Sequence, residues 1–225
     1  TIFEGFGQTE TPLTVANLTH AVPKPGSMGR PSPAFNIEVQ RGDGSRCDVG
    51  ETGEVCIDVH EKAPGIMLEY YRNPEKTEAA VFDGWYHTGD TAWVDEDGFF
   101  WYVGRNDDVI KSSGYRIGPF EIESVLLEHD SVRECAVTGV PDPVRGKAVK
   151  STVVLAEGFE GNEVLVRELQ QWVKQRTAPY KYPRIVEFVD ALPKTVNGKI
   201  RRAAIREADE SREGKPKTKV PEGLV

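Results

Sequence analysis

The chain from residue 28 to residue 104 alternates short hydrophobic runs with polar turns. Four runs are rich in the β-branched and aromatic residues that favour strands: 35–40, 53–59, 90–94 and 99–104. The polar segments 41–46 and 95–98 both contain Asp-Gly, which is a strong signal for a hairpin turn. The pattern predicts that the first half of the chain is β-rich.

After residue 104 the hydrophobic positions change to helical spacing. Two helices are predicted from apolar stripes, one formed by Ile122, Val125, Leu126 and His129 behind Pro119, the other by Leu165, Leu169, Trp172 and Val173. Three strands are predicted between and after them, at 134–140, 150–156 and 184–189, and a further helix after Lys199. We therefore predict an α+β fold in which a β-rich subdomain precedes a small α+β domain. The predicted boundaries are 1–106 for the first, 107–209 for the second and 210–225 for a polar tail.

Composition and charge narrow the class of protein. The 225 residues are 38% hydrophobic and 28% charged, which is typical of a folded globular protein that can bury a sizeable core. The net charge is −8, and an acidic chain is a poor candidate for a broad nucleic-acid surface, which needs clustered Lys and Arg. We therefore expect no nucleic-acid partner.

The cysteines and the apolar runs indicate the cellular compartment of the protein. Cys47, Cys56 and Cys135 form neither a C-x-x-C pair nor an even framework, which disfavours a disulfide scaffold and a zinc site. A reducing cytoplasm is the predicted compartment. No run approaches eighteen apolar residues, so no membrane span is expected. The chain starts with Thr inside dense sequence, which favours a piece of a longer protein.

Four stretches carry the candidate chemistry: EGFGQTE (4–10), YHTGD (86–90), GRNDDVIKSSGYRIGPFEIES (104–124) and PKTVNGKIRR (193–202). Taken singly, each is compatible with a Gly-rich turn, a hairpin corner, a linker or a loop tip. In this order and spacing they resemble the AMP-forming adenylate family, which includes acyl-CoA synthetases, luciferases and the adenylation domains of peptide synthetases. Further matches are PKPGSMGRPSP, VGETGEV, YYRNPEKT and PDPVRGKAV, so the resemblance runs from residue 1 to about residue 208.

The resemblance implies an ATP site in the first half. Thr9 would contact the α-phosphate, Glu10 would hold Mg²⁺, and Asp90 would accept hydrogen bonds from the two ribose hydroxyls. Arg105 would reinforce the grip on the nucleotide. The remaining residues implied for this site are those of the first motif: Glu4, Gly5, Phe6, Gly7 and Gln8. Phe6 stands where many relatives carry Tyr and would keep a stacking face for adenine. The structural alternatives are a turn-capping role for Asp90 and a surface ion pair for Arg105.

The resemblance also implies a catalytic lysine on a moving domain. Lys199 looks like the adenylation lysine of the family, whose compact charge bridges the α-phosphate and the substrate carboxylate. Asn197 and Gly198 precede it, and both tolerate positive φ. Asp107 matches the position used as a hinge between adenylation and thioester formation. The alternative for Lys199 is a solvated lysine at a hairpin tip.

A coenzyme A site is implied for the second half. Ser113, Gly114 and Tyr115 would line the pantetheine tunnel, where a side chain at position 114 would block the thiol arm. The residues implied for the CoA phosphates and their surroundings are Arg116, Arg145, Lys174, Tyr182, Pro183 and Arg184. A solvated basic face is the alternative. For His87 a turn or packing role is favoured over acid–base catalysis, since the substrate carboxylate is already ionised.

The predicted function is the C-terminal portion of an AMP-forming acyl-CoA synthetase whose partners are a carboxylic acid, ATP and CoA. Acetate-specific relatives place Trp where this chain has Gly7, so a medium-chain, branched or aromatic acid is favoured. The upstream phosphate loop of the family is absent, so the fragment alone is expected to be inactive. The alternatives are an enzyme that loads a carrier protein or oxidises its adenylate, and a non-catalytic nucleotide- or CoA-binding fragment. Oligomeric state is not predicted.

Overall fold

A computed structural model of the chain describes residues 3–18, 22–61 and 63–211. Its contacts divide the chain into two units, the first ending at Asp107 and the second beginning at Asp108. This division lies one residue after the boundary predicted from the sequence.

Two sheets make up the first unit. Strands β1 (Gly5–Gln8), β2 (Thr11–Ala16) and β3 (Arg30–Pro31) form an antiparallel sheet in the order β1-β2-β3. The second sheet contains β4 (Ile37–Gln40), β5 (Gly53–Asp58), β6 (Val81–Phe82), β7 (Trp85–Val94) and β8 (Phe100–Arg105). Its order is β4-β5-β7-β6, and β8 also pairs with β7. The helix α1 (Pro74–Ala80) leads into β6, and the Asn73 side chain caps it by accepting from the backbone N–H of Lys76.

The core of the first unit follows from strand alternation. On β5, Val55 and Ile57 are fully buried, and Tyr86 of β7 packs with them. Glu54 and Cys56 project from the opposite face of β5, because successive side chains of a strand point to opposite sides.

The second unit is one five-stranded sheet with helices. Its elements are β9 (Ile110–Ser112), β10 (Tyr115–Ile117), α2 (Pro119–Leu127), β11 (Val132–Asp142), β12 (Gly146–Leu155), α3 (Glu163–Arg176), β13 (Ile185–Phe188) and α4 (Arg202–Ser211). A short 3-10 turn, Pro179–Lys181, follows α3. The strand order is β10-β9-β12-β11, and β13 pairs with β12 in parallel.

Both faces of this sheet are covered. One face packs against α2 and α3 through the main core, which contains Ile122, Leu126, Leu169 and Val173. The opposite face carries Ala136 and Val154, which pack with Leu192 and with Ile205 of α4, in a smaller cluster. The helix α4 therefore covers a surface with much less apolar area than the helices on the other side.

The observed elements include all four strands predicted for the first unit, and the helices and strands predicted for the second. The sequence analysis did not predict the hairpin β1–β2, the short strands β3 and β6, the helix α1 or the hairpin β9–β10. His129 lies outside α2, which ends at Leu127; it is buried, with its ring edge-on to Trp172. The helix α4 continues to Ser211, two residues beyond the predicted end of the domain, and the rest of the predicted tail, 212–225, lies outside the described residues. Among the described helices none is long and apolar enough to cross a membrane.

Candidate active site

The turn between β1 and β2 presents Thr9 and Glu10. The backbone N–H of Gln8 donates to the Thr11 hydroxyl (3.0 Å), and the Glu10 carbonyl accepts from the backbone N–H of Met67 (2.8 Å). Thr9 is exposed, so its hydroxyl is accessible to a ligand. These contacts hold the turn in one conformation while leaving the Thr9 side chain free of the packing.

Gln8 joins the first motif to the second across 82 residues of sequence. Its Nε2 donates to the backbone carbonyl of Thr88 (2.9 Å) and to Oδ2 of Asp90 (2.5 Å). Its Oε1 accepts from the hydroxyl of Tyr86 (2.7 Å), which is itself buried. The FGQTE and YHTGD motifs therefore form one hydrogen-bonded site, and Gln8 is its link.

Asp90 is a buried carboxylate with hydrogen bonds at both oxygens. Tyr102 donates from its hydroxyl to Oδ1 (2.9 Å), and Gln8 donates to Oδ2. Burial raises the pKa of Asp90, while the hydrogen bonds from Tyr102 and Gln8 and the charge of Arg105 oppose that rise. Because a carboxylate oxygen has two lone pairs, each oxygen can accept one more hydrogen bond. Two adjacent hydroxyls of a sugar would meet this requirement.

Arg105 lies beside Asp90 because the two are directly paired in the β7–β8 ladder. Its Nε lies 3.6 Å from Oδ1 of Asp107. Partial burial alone would lower the pKa of Arg105, but the charges of Asp90 and Asp107 raise it, so the guanidinium stays charged. Gly89 is at φ +72°, and a Cβ there would lie 3.2 Å from the guanidinium, so this position favours glycine.

Glu10 is the candidate ligand for a divalent cation. Its Oε1 accepts from the hydroxyl of Tyr70 (2.9 Å), and the pKa of Tyr70 is raised by burial and by this carboxylate. No donor to Oε2 is found among the residues that the structure describes, which leaves that oxygen available. A carboxylate oxygen suits a hard ion such as Mg²⁺, so the residue fits the role as one ligand of several.

The structure does not support a stacking role for Phe6, and it gives Gly7 a packing role that the sequence did not predict. The Phe6 ring is only 8% exposed and packs in the core of the first unit, so little of it remains to stack on an adenine base. A Cβ at Gly7 would lie 2.7 Å from the carbonyl oxygen of Pro12 on the facing strand. Gly7 is therefore required by a close backbone approach, in addition to any room it leaves for a substrate.

Glu54, Cys56 and His87 form a cluster whose ligand-type atoms all lie within 4.8 Å of one another. Nδ1 of His87 lies 3.2 Å from Glu54 and 3.5 Å from the Cys56 sulfur, and Phe82 stacks on the imidazole at 3.7 Å. Burial raises the pKa of Cys56 to about 12, which keeps the thiol protonated at neutral pH. Since the three side chains already contact one another and the Phe82 ring, we assign the cluster to packing and hydrogen bonding.

Lys199 follows a tight turn at the end of a small hairpin in the second unit. The Gly198 N–H donates to the Thr195 carbonyl (2.9 Å), and the Lys199 N–H donates to the Thr195 hydroxyl (3.1 Å). Gly198 is at φ +79°, whereas Asn197 is not at positive φ. The Lys199 side chain is exposed, and no described carboxylate pairs with its ammonium group. The turn therefore presents an uncompensated charge.

A second candidate site is a cavity of about 40 Å³ in the second unit. Its lining combines hydroxyl, aromatic and basic side chains: Ser112, Ser113, Tyr115, Arg145, Val149, Tyr180, Tyr182 and Arg184. The rings of Tyr115 and Tyr180 stack at 4.0 Å. The backbone N–H of Ser113 donates to the Arg145 carbonyl (2.9 Å), which ties the hairpin β9–β10 to the loop after β11.

Two basic groups converge on one ring of this cavity. The guanidinium of Arg184 lies 4.2 Å from the centre of the Tyr182 ring, and Nζ of Lys174 lies 5.6 Å from it. Pro183, between Tyr182 and Arg184, is buried. Arg116 pairs across the hairpin with Lys111 and does not line the cavity.

Comparisons with known proteins relate the chain to a family of enzymes. Residues 121–199 match the family model described as AMP-binding enzyme C-terminal domain. Over 208 residues the chain is 50% identical to acyl-coenzyme A synthetase ACSM3, mitochondrial, from Rattus norvegicus; the match covers 91% of this chain and 36% of that relative. The chain is a homologue of the acyl-CoA synthetases. It spans about a third of the length of this relative, in its C-terminal part.

Solved structures of CoA ligases share the fold. The anthranilate CoA ligase AuaEII in complex with anthranoyl-AMP gives a TM-score of 0.82 at 35% identity, covering 92% of this chain and 39% of that one. The benzoate CoA ligase from Burkholderia xenovorans LB400 gives 0.77 at 38% identity, covering 91% of this chain and 40% of that one. These likenesses support the α+β fold class predicted from the sequence.

Within this acyl-CoA synthetase homologue, the structure brings several of the residues chosen from sequence together in two places. Gln8, Asp90 and Arg105 belong to one site, and five predicted residues line the second unit's cavity: Ser113, Tyr115, Arg145, Tyr182 and Arg184. The first site also uses Tyr70, Tyr86 and Tyr102, which the sequence analysis did not single out. Tyr86 opens the YHTGD motif, which was a usable signal, whereas Tyr102 lies in a hydrophobic run where nothing distinguished it.

Proposed function

We propose that the whole protein is an AMP-forming acyl-CoA synthetase and that this chain carries part of its nucleotide site and its CoA site. The observation that supports this most strongly is the hydrogen-bonded link between Gln8 and Asp90. It joins the two motifs that would hold the phosphates and the ribose into one preorganised arrangement. The homology to acyl-CoA synthetases supports the same conclusion.

In the first half-reaction a carboxylate oxygen of the substrate attacks the α-phosphorus of ATP, and pyrophosphate leaves. Asp90 would accept the ribose hydroxyls through the two lone pairs that its protein partners leave open. The Thr9 hydroxyl would donate to the α-phosphate, and Lys199 would stabilise the charge that develops on it. Mg²⁺ bound at Glu10 would supply further charge neutralisation. Arg105, kept charged by Asp90 and Asp107, would hold the nucleotide.

In the second half-reaction the thiolate of CoA attacks the acyl carbon, and AMP leaves. The cavity beside Tyr182 combines Arg145 and Arg184 with aromatic faces, which suits phosphate and adenine groups. Lys174 reaches the same ring, while Arg116 would act from outside the cavity. We propose that the second unit rotates about Asp107 between the adenylation and the thioester-forming half-reaction, as is common for domain closures.

The substrate we propose is a medium-chain, branched or aromatic acid. Gly7 offers no side chain to close an acyl pocket, and two structural relatives are named as ligases of anthranilate and benzoate. All three cysteines are free, which supports a reducing compartment. The cytoplasm stays our prediction, although the rat relative is named as mitochondrial. Fluorescence microscopy of the tagged full-length protein would decide between the two.

The decisive experiment uses the full-length parent and measures the two half-reactions separately. We expect Lys199→Ala to lower the rate of acid-dependent pyrophosphate exchange by about 10²–10³, which corresponds to ~3–4 kcal/mol. Formation of acyl-CoA from supplied acyl-AMP should change little. Lys194→Ala is the matched control, because this lysine sits in the same hairpin but pairs with Glu134 (2.7 Å).

A panel of acids completes the test: acetate, butyrate, hexanoate, octanoate and benzoate. AMP release that depends on CoA and peaks beyond acetate supports the proposal. Pyrophosphate release without acyl-CoA would instead indicate the carrier-loading or oxidising alternative. An unchanged exchange rate in Lys199→Ala would exclude the catalytic role of that lysine.

A further inference from the structure

The helix α4 begins three residues after Lys199, so its docking sets where the lysine loop lies. Four of its side chains point toward the rest of the second unit: Arg202, Ile205, Arg206 and Asp209. They are spaced by three and four residues, which places them on one face of a helix. Three of the four are charged, which is unusual for a face that packs on a sheet.

Arg202 makes a two-pronged ion pair with Glu123 of α2. Its Nε donates to Oε1 (3.0 Å) and its Nη2 donates to Oε2 (2.5 Å). Glu123 is buried and also accepts from the backbone N–H of Val137 on β11 (2.8 Å). One buried carboxylate therefore ties α2, β11 and the first turn of α4 together in a fixed geometry.

Asp108 is held by two arginines of the same helix. Oδ1 accepts from Nη1 of Arg206, and Oδ2 lies 3.5 Å from Nη1 of Arg202. The Asp108 side chain is 10% exposed, so both pairs are largely shielded from water. Asp108 is the first residue of the second unit, directly after the proposed hinge residue Asp107. The start of the unit is thus fastened to the helix that follows the lysine loop.

Apolar packing contributes little to the docking of α4. Beneath it Lys150, which is 4% exposed, pairs with Oδ1 of Asp209 and with Oε2 of Glu187, both at 2.5 Å. Thr138 and Thr152 are buried there with hydroxyls that have no hydrogen-bond partner among the described residues. Because this surface is polar, the position of α4 depends on its ion pairs to an unusual degree.

The base of the Lys199 loop is continuous with this docked helix. The Arg201 N–H donates to the Pro193 carbonyl (2.8 Å), and Lys194 pairs with Ile200 in an isolated β-bridge. Ile200 packs against the small cluster that includes Ile205. The turn itself fixes the conformation of the loop tip. The position of the loop on the second unit therefore depends on the ion pairs of Arg202.

We propose that Asp108, Glu123, Arg202 and Arg206 form a clamp that positions the Lys199 loop for adenylation. Arg202 and Arg206 are positioning residues, because they act through Lys199 and contact no reactant. The proposal rests on the proposed function for its catalytic consequence, but not for its structural one. The clamp fixes the loop on the domain, so that when the domain moves at the hinge the lysine moves with it.

The structural consequence is tested on this chain by hydrogen exchange. We expect Arg206→Met to speed the exchange of the Thr195, Gly198 and Arg201 amides by about tenfold or more, since local opening becomes easier. Arg167→Met is the matched control, because Arg167 is exposed on α3 and makes no ion pair within the described residues. Arg206→Lys, which keeps the charge, should restore most of the protection. Unchanged exchange in Arg206→Met would overturn the clamp.

The catalytic consequence is tested in the full-length parent. We expect Arg206→Met to lower pyrophosphate exchange by about tenfold while thioester formation from supplied acyl-AMP stays within about twofold, because only adenylation uses Lys199. A purely structural role would lower both half-reactions in the same proportion, and that result would overturn the positioning role. Lys199→Ala separates the two proposals: if it leaves adenylation unchanged, the proposed function fails, while the exchange measurement still decides the clamp.

Discussion

Tyr102→Phe removes one hydroxyl from the nucleotide site and keeps the aromatic ring that packs there. That hydroxyl donates to Oδ1 of Asp90 at 2.9 Å, and Asp90 is only 5% exposed, so water cannot readily replace it. A hydrogen bond to a charged group contributes about 1.5–3 kcal/mol, and one between neutral groups about 0.5–1.5 kcal/mol. The loss should therefore be larger when Asp90 is ionised.

The pH dependence follows from the direction of the pKa shift. Burial raises the pKa of Asp90 above its usual 3.8, so the folded state binds the proton more tightly than the unfolded state. Ionised Asp90 therefore costs stability; the cost is absent below the unfolded pKa and grows as pH rises through the folded pKa. Tyr102 reduces this cost by bonding to the ionised form. In Tyr102→Phe the pKa of Asp90 rises further. The variant should therefore lose more unfolding free energy, relative to wild type, at neutral pH than at acidic pH.

The assay is urea unfolding of this chain at several pH values between 4 and 8. Three of the four tryptophans lie in the first unit, so their fluorescence reports mainly on the part that contains Asp90: Trp85, Trp93 and Trp101. With a slope of about 2 kcal/mol per molar urea, a loss of ~2 kcal/mol at neutral pH moves the midpoint by about 1 M. Tyr71→Phe is the control, since Tyr71 is 80% exposed. A destabilisation that is absent, or equal at all pH values, would refute the reasoning.

Three further predictions can be checked with single variants or reagents. Burial raises the pKa of Cys56 and Cys135 to about 12, so a thiol reagent at pH 8 should label Cys47 first, and all three only after unfolding; early labelling of Cys56 contradicts the burial argument. Gly7→Trp should lower the free energy of unfolding by about 1–3 kcal/mol, because its Cβ would lie 2.7 Å from a carbonyl oxygen of β2. A thermal melting temperature equal to that of the wild type would show that β1 and β2 move apart without cost. Gly114→Leu in the full-length parent should spare adenylation and block thioester formation, since nothing in its own unit lies within 4 Å of the new Cβ; loss of both half-reactions would contradict this. Its φ of +85° adds a strain of about 1–2 kcal/mol.

The backbone at Ser113 and Gly114, both at positive φ, illustrates what the sequence could indicate. Their neighbourhood was selected from the motif SSGYRIG, and the structure places Ser113 at φ +49° beside the cavity. Positive φ at a non-glycine residue is costly and tends to occur at functional sites. The motif therefore pointed to the right segment, but Tyr180, which stacks on Tyr115, came from a separate segment and was missed.

Local patterns determined most strands of the two five-stranded sheets, the helices of the second unit and the turn that presents Lys199, because hydrophobic periodicity and turn residues act over a few neighbours. The resemblance to the adenylate-forming family selected Gln8 and Asp90 through their motifs. Tertiary structure alone decided that these two bond across 82 residues, and that Arg202 reaches Glu123 across 79. It also decided that Phe6 packs inward, because packing against distant strands outweighs any local preference. Contacts of this kind depend on how sheets and helices close on each other, which no local pattern of one sequence encodes.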